Sequence, residues 1–164
     1  MDSELLELPY KGNDLSFIVV LPRKRDGLQK LKSIINYELF NNAIKQFNLT
    51  NVDIYLPKFK VEQMYDLKTA LNKNMKLNIF TNEADLSGIN GKTDLCVSLI
   101  VHKVVIEVNE KGSEAAAATA IVMAARSMKF KPPPLIFKAD HPFLYLIRDK
   151  RNDVILFIGQ INRL

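Results

Sequence analysis

The sequence predicts an α+β fold, and three observations carry that expectation. Short runs of apolar residues alternate with polar ones, or cluster densely, at well-separated places along the chain, as strands do. Between some of these runs, leucine, isoleucine and phenylalanine recur every three or four residues, the period of a helix packed on one face. Strand-like and helix-like stretches do not alternate regularly and nothing repeats, so neither a parallel βαβ sheet nor a solenoid is expected.

The elements follow in order. Leu5 to Tyr10 reads as a short strand and Lys11-Gly12-Asn13-Asp14 as a hairpin turn. Leu15 to Leu21 is apolar enough for a strand buried on both faces, and Pro22 stops it. Asp26 is placed to cap a helix whose stripe is Leu28, Leu31, Ile34 and Ile35. A second helix presents Leu39, Phe40, Ala43, Ile44 and Phe47 and ends near Asn48, where Asn48-Leu49-Thr50 forms a glycosylation sequon in a turn. Val52, Ile54 and Leu56 alternate, Pro57 interrupts, and Phe59 and Val61 resume the strand pattern. Asp66 is a candidate cap for a third short helix with Leu67, Ala70 and Leu71 inward, and residues 82–88 read as turns. Leu95, Val97, Leu99 and Val101 alternate ahead of the dense run Val104, Val105, Ile106 and Val108. Leu135-Ile136-Phe137 is extended, and Pro142 to Ile147 and Val154 to Ile158 form a hairpin across Asp149 to Asp153.

At 164 residues and 48% hydrophobic content, the chain is long enough to bury a core, and residues 1–164 are expected to form one domain. Its 23 basic and 18 acidic residues leave a net charge of +5, without the basic stripe and interleaved aromatics of a nucleic-acid binder. The tightest basic cluster is Arg23-Lys24-Arg25 with Lys30 and Lys32, which fits a solvated turn and helix face or, as the alternative, an anionic polysaccharide or membrane surface. No apolar run reaches the ~20 residues of a membrane-spanning helix. The acidic start Met1-Asp2-Ser3-Glu4 does not read as a signal peptide.

Nothing marks an enzyme, a cofactor site or a metal site. Gly88-Ile89-Asn90-Gly91-Lys92-Thr93 has its glycines too close together for a phosphate loop and no long helix after it. The single cysteine, Cys96, precludes an internal disulfide and reads as a small buried hydrophobe. His102, in a strand, reads as a hydrogen-bonded core histidine, and His141, before Pro142, as part of a turn. Neither sits in a recognisable nucleophile–base arrangement.

The stretch from Val108 to Ser127 is the unusual one. A strand-like run breaks at Gly112, small side chains follow, and a short apolar stretch ends on Arg126 ahead of Lys129-Phe130-Lys131 and Pro132-Pro133-Pro134. Read alone, Glu114 to Ala125 is an Ala-rich helix capped by Ser113. An arginine before a small residue on an exposed, extended loop is instead what a trypsin-like protease cleaves, because an acid in its specificity pocket pairs with the guanidinium.

Here the chain resembles the serpin family. Glu110-Lys111-Gly112-Ser113-Glu114-Ala115-Ala116-Ala117-Ala118-Thr119 is similar to the hinge of inhibitory serpins, and Phe137 to Ile147 (Phe-Lys-Ala-Asp-His-Pro-Phe-Leu-Tyr-Leu-Ile) to the family's C-terminal signature. Leu8-Pro9-Tyr10-Lys11-Gly12, Leu56-Pro57-Lys58-Phe59 and Asn82 to Gly88 also agree, so the likeness spans residues 4–164. The resemblance implies parts of the serpin sheets A, B and C with three short helices, and a hinge and reactive-centre loop at residues 110–132. It implies a strand of sheet A ending at Val108, a scissile bond at Arg126-Ser127, and Lys58 near Glu110 as a hinge ion pair. The function it implies is inhibition of a trypsin-like serine protease as a suicide substrate, outside cells, with no cofactor. The family's N-terminal strands and helices, including strand three of sheet A, are not found in this sequence. The alternative expectation is therefore a non-trapping fragment, cleaved as a substrate or self-associating through an open sheet edge.

Overall fold

In the computed structural model the described residues are 2–110 and 133–163. They hold eight strands, four short α-helices and one 3-10 turn, and fall into two compact units, residues 1–58 with 109–164 and residues 59–108.

The first unit is built on a four-stranded antiparallel sheet. Its strands are β1 (Ser3–Pro9), β2 (Leu15–Pro22), β7 (Phe143–Asp149) and β8 (Val154–Ile161), in the order β1-β2-β7-β8. The turn between β1 and β2 closes with Asn13 N–H donating to Tyr10 O, and it needs positive φ at both Gly12 and Asn13. Glycine and asparagine are the residues that adopt this conformation at least cost. β2 is central, and every residue from Ser16 to Pro22 is buried. Alternation then sends side chains to both faces. Ile18 and Val20 join Leu144 and Leu146 of β7 in a cluster with Leu28, Leu31 and Phe40 from two helices. The other parity carries Phe17, Val19, Phe143 and Tyr145, with the Phe17 and Tyr145 rings stacked at 5.9 Å.

The helices covering the first face are α1 (Leu28–Ile34) and α2 (Tyr37–Ile44). Gly27, not Asp26, precedes α1, and no side chain caps it. The chain turns tightly there, with Gly27 N–H on Lys24 O, and a Cβ at Gly27 would lie 2.8 Å from that of Pro22. Leu28 and Leu31 are buried as the spacing predicts, whereas Ile34 points to solvent. α2 begins on Asn36, whose side chain accepts the Leu39 N–H at 2.8 Å, and buries Phe40. A separate parallel pair joins β3 (Val52–Tyr55) to β6 (Leu135–Lys138).

The second unit pairs β4 (Phe59–Asp66) with β5 (Val101–Val108), antiparallel. Asp66 Oδ1 accepts the Lys68 N–H and so supports the start of α3 (Lys68–Met75), although Ala70 is exposed rather than inward. The 3-10 turn Asn78–Phe80 buries Phe80, and one helical turn, α4 (Ser87–Asn90), stands where the sequence suggested turns only. Residues 92–100 form no strand despite their alternation. Cys96 is consequently exposed, not buried. His102 lies on β5 opposite Tyr65 and is exposed, which corrects its reading as a core histidine.

Tyr145 faces Gly159 across the sheet, and a Cβ on Gly159 would overlap its phenol ring. Gly159→Ala is expected to lower stability by about 1–3 kcal/mol, the usual cost of overpacking. Urea unfolding should show a lower midpoint with an unchanged slope.

Candidate functional site

Most residues of the expected site, Lys111 to Thr119 and the Arg126-Ser127 bond, lie outside the described residues. What is described is the chain on either side of residues 111–132.

On the N-terminal side, Glu110 Oε2 lies 2.6 Å from Lys58 Nζ, with the two side chains 71% and 63% exposed. Lys58 follows Pro57, whose ring fixes its own φ and so limits the directions in which the next residue leaves β3. In water an ion pair this exposed contributes at most about 1 kcal/mol. Its significance is directional, since it ties the residue before position 111 to the stretch that follows β3.

On the C-terminal side, β6 lies beside β3 in the register Val52↔Leu135 to Tyr55↔Lys138. The pairing is extended at both ends by Leu135 N–H on Asn51 O, 3.0 Å, and Ala139 N–H on Tyr55 O, 2.9 Å. Phe137 is the buried residue of β6, and Leu135 and Ile136 stay exposed. Backbone bonding therefore outweighs side-chain burial in holding this strand.

Immediately beyond β6, Asp140 gathers charge. His141 Nδ1 is 2.9 Å from its Oδ1, Arg25 Nη1 is 3.3 Å from the same oxygen, and Lys138 Nζ is 3.5 Å from Oδ2. Arg25 also donates to the Asp140 carbonyl at 2.9 Å. The buried His141 donates from Nε2 to the Pro22 carbonyl at 2.6 Å, which joins the start of β7 to the end of β2. His141 thus serves a junction between elements and not only a local turn. The hydrogen bond from His141, then the Arg25 and Lys138 charges, lower the Asp140 pKa from 3.8 to about 2.

Two arginines of the basic cluster are paired with acids, while Lys24 and Lys30 line one depression with Asp2 and Pro22. Arg23 faces Asp2 and Glu4 at 3.8 and 3.7 Å, Arg25 is on Asp140, and Lys30 and Lys32 stand two residues apart on α1. Two helical positions are about 200° apart, so these lysines diverge. Among the described residues no group of His, Cys, Asp or Glu is placed to hold a metal ion. No described helix is long and apolar enough to cross a membrane.

The family model described as Serpin (serine protease inhibitor) matches residues 1–164. The chain belongs to the serpin family. Among curated relatives, Iripin-8 of Ixodes ricinus is 43% identical over 166 residues, covering 100% of this chain and 41% of its own length. Serpin B3 of Homo sapiens is 43% identical over 164 residues, covering 99% of this chain and 42% of its own. The fold superposes on uncleaved ovalbumin with a TM-score of 0.78 at 31% identity, over 97% of this chain and 39% of that one. It superposes on Serpin48, a highly specific serpin of the insect Tenebrio molitor, with 0.72 at 40% identity, over 99% and 41%. The mixed helix-and-sheet architecture is thus that of serpins, and this serpin chain spans about two-fifths of the length of the relatives it matches.

Lys58 and Glu110 lie within ion-pair distance and Leu135 to Phe137 is extended, as sequence reasoning expected. That reasoning missed the Asp140-His141 junction, because Arg25, the partner of Asp140, and Pro22, the partner of His141, are each more than a hundred positions away. The Asp-His-Pro run was visible, but local sequence does not reveal what it touches.

Asp140 makes the stability of the fold depend on pH in the acid range. Its folded pKa is below the ordinary value of 3.8, so the folded form holds its proton less tightly than the unfolded form. The resulting stability is present above about pH 4 and is lost as pH falls from 3.8 toward 2. Asp140→Asn, which has no carboxylate to titrate, should lower stability at neutral pH and flatten the fall across that window. Thermal melts of both proteins as a function of pH measure this, and identical acid limbs would exclude Asp140 as a contributor.

Proposed function

We propose that this serpin chain provides the bait and hinge of a protease inhibitor directed at a trypsin-like serine protease, with Arg126-Ser127 as the scissile bond. Residues 110–132 are the hinge and reactive-centre loop on this reading, and the target forms an acyl-enzyme at Arg126 before the hinge enters sheet A beside β5. The observation that carries it is the run Glu110 to Thr119, which follows β5 in the sequence with Asn109 alone between them. A loop that becomes an internal strand cannot bring bulk or charge to its buried positions, and Ala115 to Ala118 bring neither. Gly112 supplies the backbone freedom for the turn between the exposed and inserted states.

Two features of the flanks support the reading. β5 is paired by β4 on one side, and its other edge takes no strand among the described residues. Lys58 holds Glu110 through an exposed pair weak enough to be given up on insertion. Arg126 suits an acidic specificity pocket, and the protease would act outside cells.

The test uses the protein at the full length of its transcript, incubated with trypsin and resolved on denaturing gels. A covalent complex that survives SDS, with cleavage after Arg126, is expected. Simple cleavage without complex would overturn the inhibitory reading and leave a substrate. Arg126→Glu should slow attack at this bond by roughly two to three orders of magnitude, the cost of an unpaired buried charge, and unchanged cleavage would move the bait to Lys129. Ala117→Glu should leave cleavage intact and abolish the complex, because a carboxylate is then carried into the sheet.

A further inference from the structure

The Asn48-Leu49-Thr50 triplet is the single N-x-Ser/Thr motif in the chain, and protease inhibition makes no use of it. Its setting in the fold is specific. Phe47 N–H is held by Ile44 O at 3.0 Å just after α2, and Asn51 O accepts from Leu135 N–H at 3.0 Å just before β3. Between these fixed points Asn48, Leu49 and Thr50 are all exposed and belong to no helix or strand. The backbone on each side is thus pinned while the three side chains face solvent. Asn48 Nδ2 donates to Gln46 O at 3.2 Å, the long end of the hydrogen-bond range. Substituting one of its protons therefore sacrifices little. Leu49 stands fully in water at 106% exposure, the highest among the large hydrophobic side chains of the described residues, and a sugar attached next to it would give it an apolar ring face to lie against.

We propose that Asn48 is an N-linked glycosylation site, taking an oligosaccharide from a lipid-pyrophosphate donor. In that transfer the amide Nδ2 attacks C1 of the donor's reducing-end sugar. The N–C1 bond forms, the C1–O bond to pyrophosphate breaks, one amide proton is released, and the lipid pyrophosphate leaves with the bonding electrons. The Thr50 hydroxyl is the feature that the transferring enzyme requires, and Leu49 satisfies the exclusion of proline from the middle position. None of the three residues belongs to the buried cluster of the first unit, so the glycan and the fold are compatible. The inference stands independently of Arg126 and of inhibition.

The experiment expresses the chain behind a secretion leader in insect cells and analyses the peptide bearing residue 48 by mass spectrometry. Protein from the medium and from the microsomal lumen is treated alike. The expected result is a hexose and N-acetylhexosamine mass increment on that peptide, removed by peptide N-glycosidase with conversion of Asn48 to aspartate. Asn48→Gln and Thr50→Ala should each abolish the increment, whereas Thr50→Ser should retain it. An unmodified peptide in both fractions, or an increment that survives Asn48→Gln, would overturn the assignment.

Discussion

One short stretch of chain, Asn51 to Lys58, holds the described residues on both sides of positions 111–132. β3 pairs with β6 on the C-terminal side, and Lys58 pairs with Glu110 on the N-terminal side. Lys58 stands seven positions after Asn51, so the two attachments lie within about 25 Å along an extended backbone. The attachments differ in kind. Four paired positions and two further backbone bonds fix β6, whereas one exposed ion pair holds Glu110. One side is therefore much harder to detach than the other. On the proposed reading this asymmetry has the required sense, because the hinge side must leave its place while the far side stays.

The stronger attachment is in turn supported by the core. β2 is buried on both faces and carries β7 beside it, and His141, at the entrance to β7, donates to the last carbonyl of β2. Asp140 then binds Arg25 in the turn after β2 and Lys138 at the end of β6. A buried apolar strand thereby sets the position of a charged junction, and the junction sets where β6 ends. At the opposite end of the same sheet, Lys150 N–H on Asp14 O and Lys150 Nζ on Asn13 Oδ1 join the two hairpin turns. Arg151 pairs with the buried Asp149, whose pKa it lowers. The sheet is thus braced at both ends by polar contacts between residues distant in sequence.

The elements that were legible are those whose cause is local. β2 announces itself by five apolar residues in a row ending at a proline, and the β7–β8 hairpin by apolar runs flanking a charged turn. The helix stripes were legible to within a residue or two. Errors occurred where a local rule had a tertiary competitor. Asp26 has the chemistry of a cap, but the close approach of Gly27 to Pro22 sets where α1 begins. The alternation from Leu95 to Leu99 has the period of a strand but finds no partner strand among the described residues, so Cys96 is left in solvent. The parallel β3–β6 pair joins segments about eighty positions apart, a separation at which periodicity carries no information about contact. For the candidate site, only the family resemblance linked Lys58 to Glu110.

The weakness of that pair bears on how a hinge of this composition would work. A buried or multiply bonded anchor at Glu110 would hold the exposed state more firmly, yet it would add its full strength to the barrier for insertion. An exposed lysine–glutamate pair restricts direction while contributing at most about 1 kcal/mol. Each residue that enters a sheet gains backbone hydrogen bonds worth a similar amount apiece. Two or three inserted residues would therefore offset the pair. The alanines beyond it add no bulk or charge to oppose entry, so on this view the resistance to insertion resides in the sheet that must open rather than in the hinge.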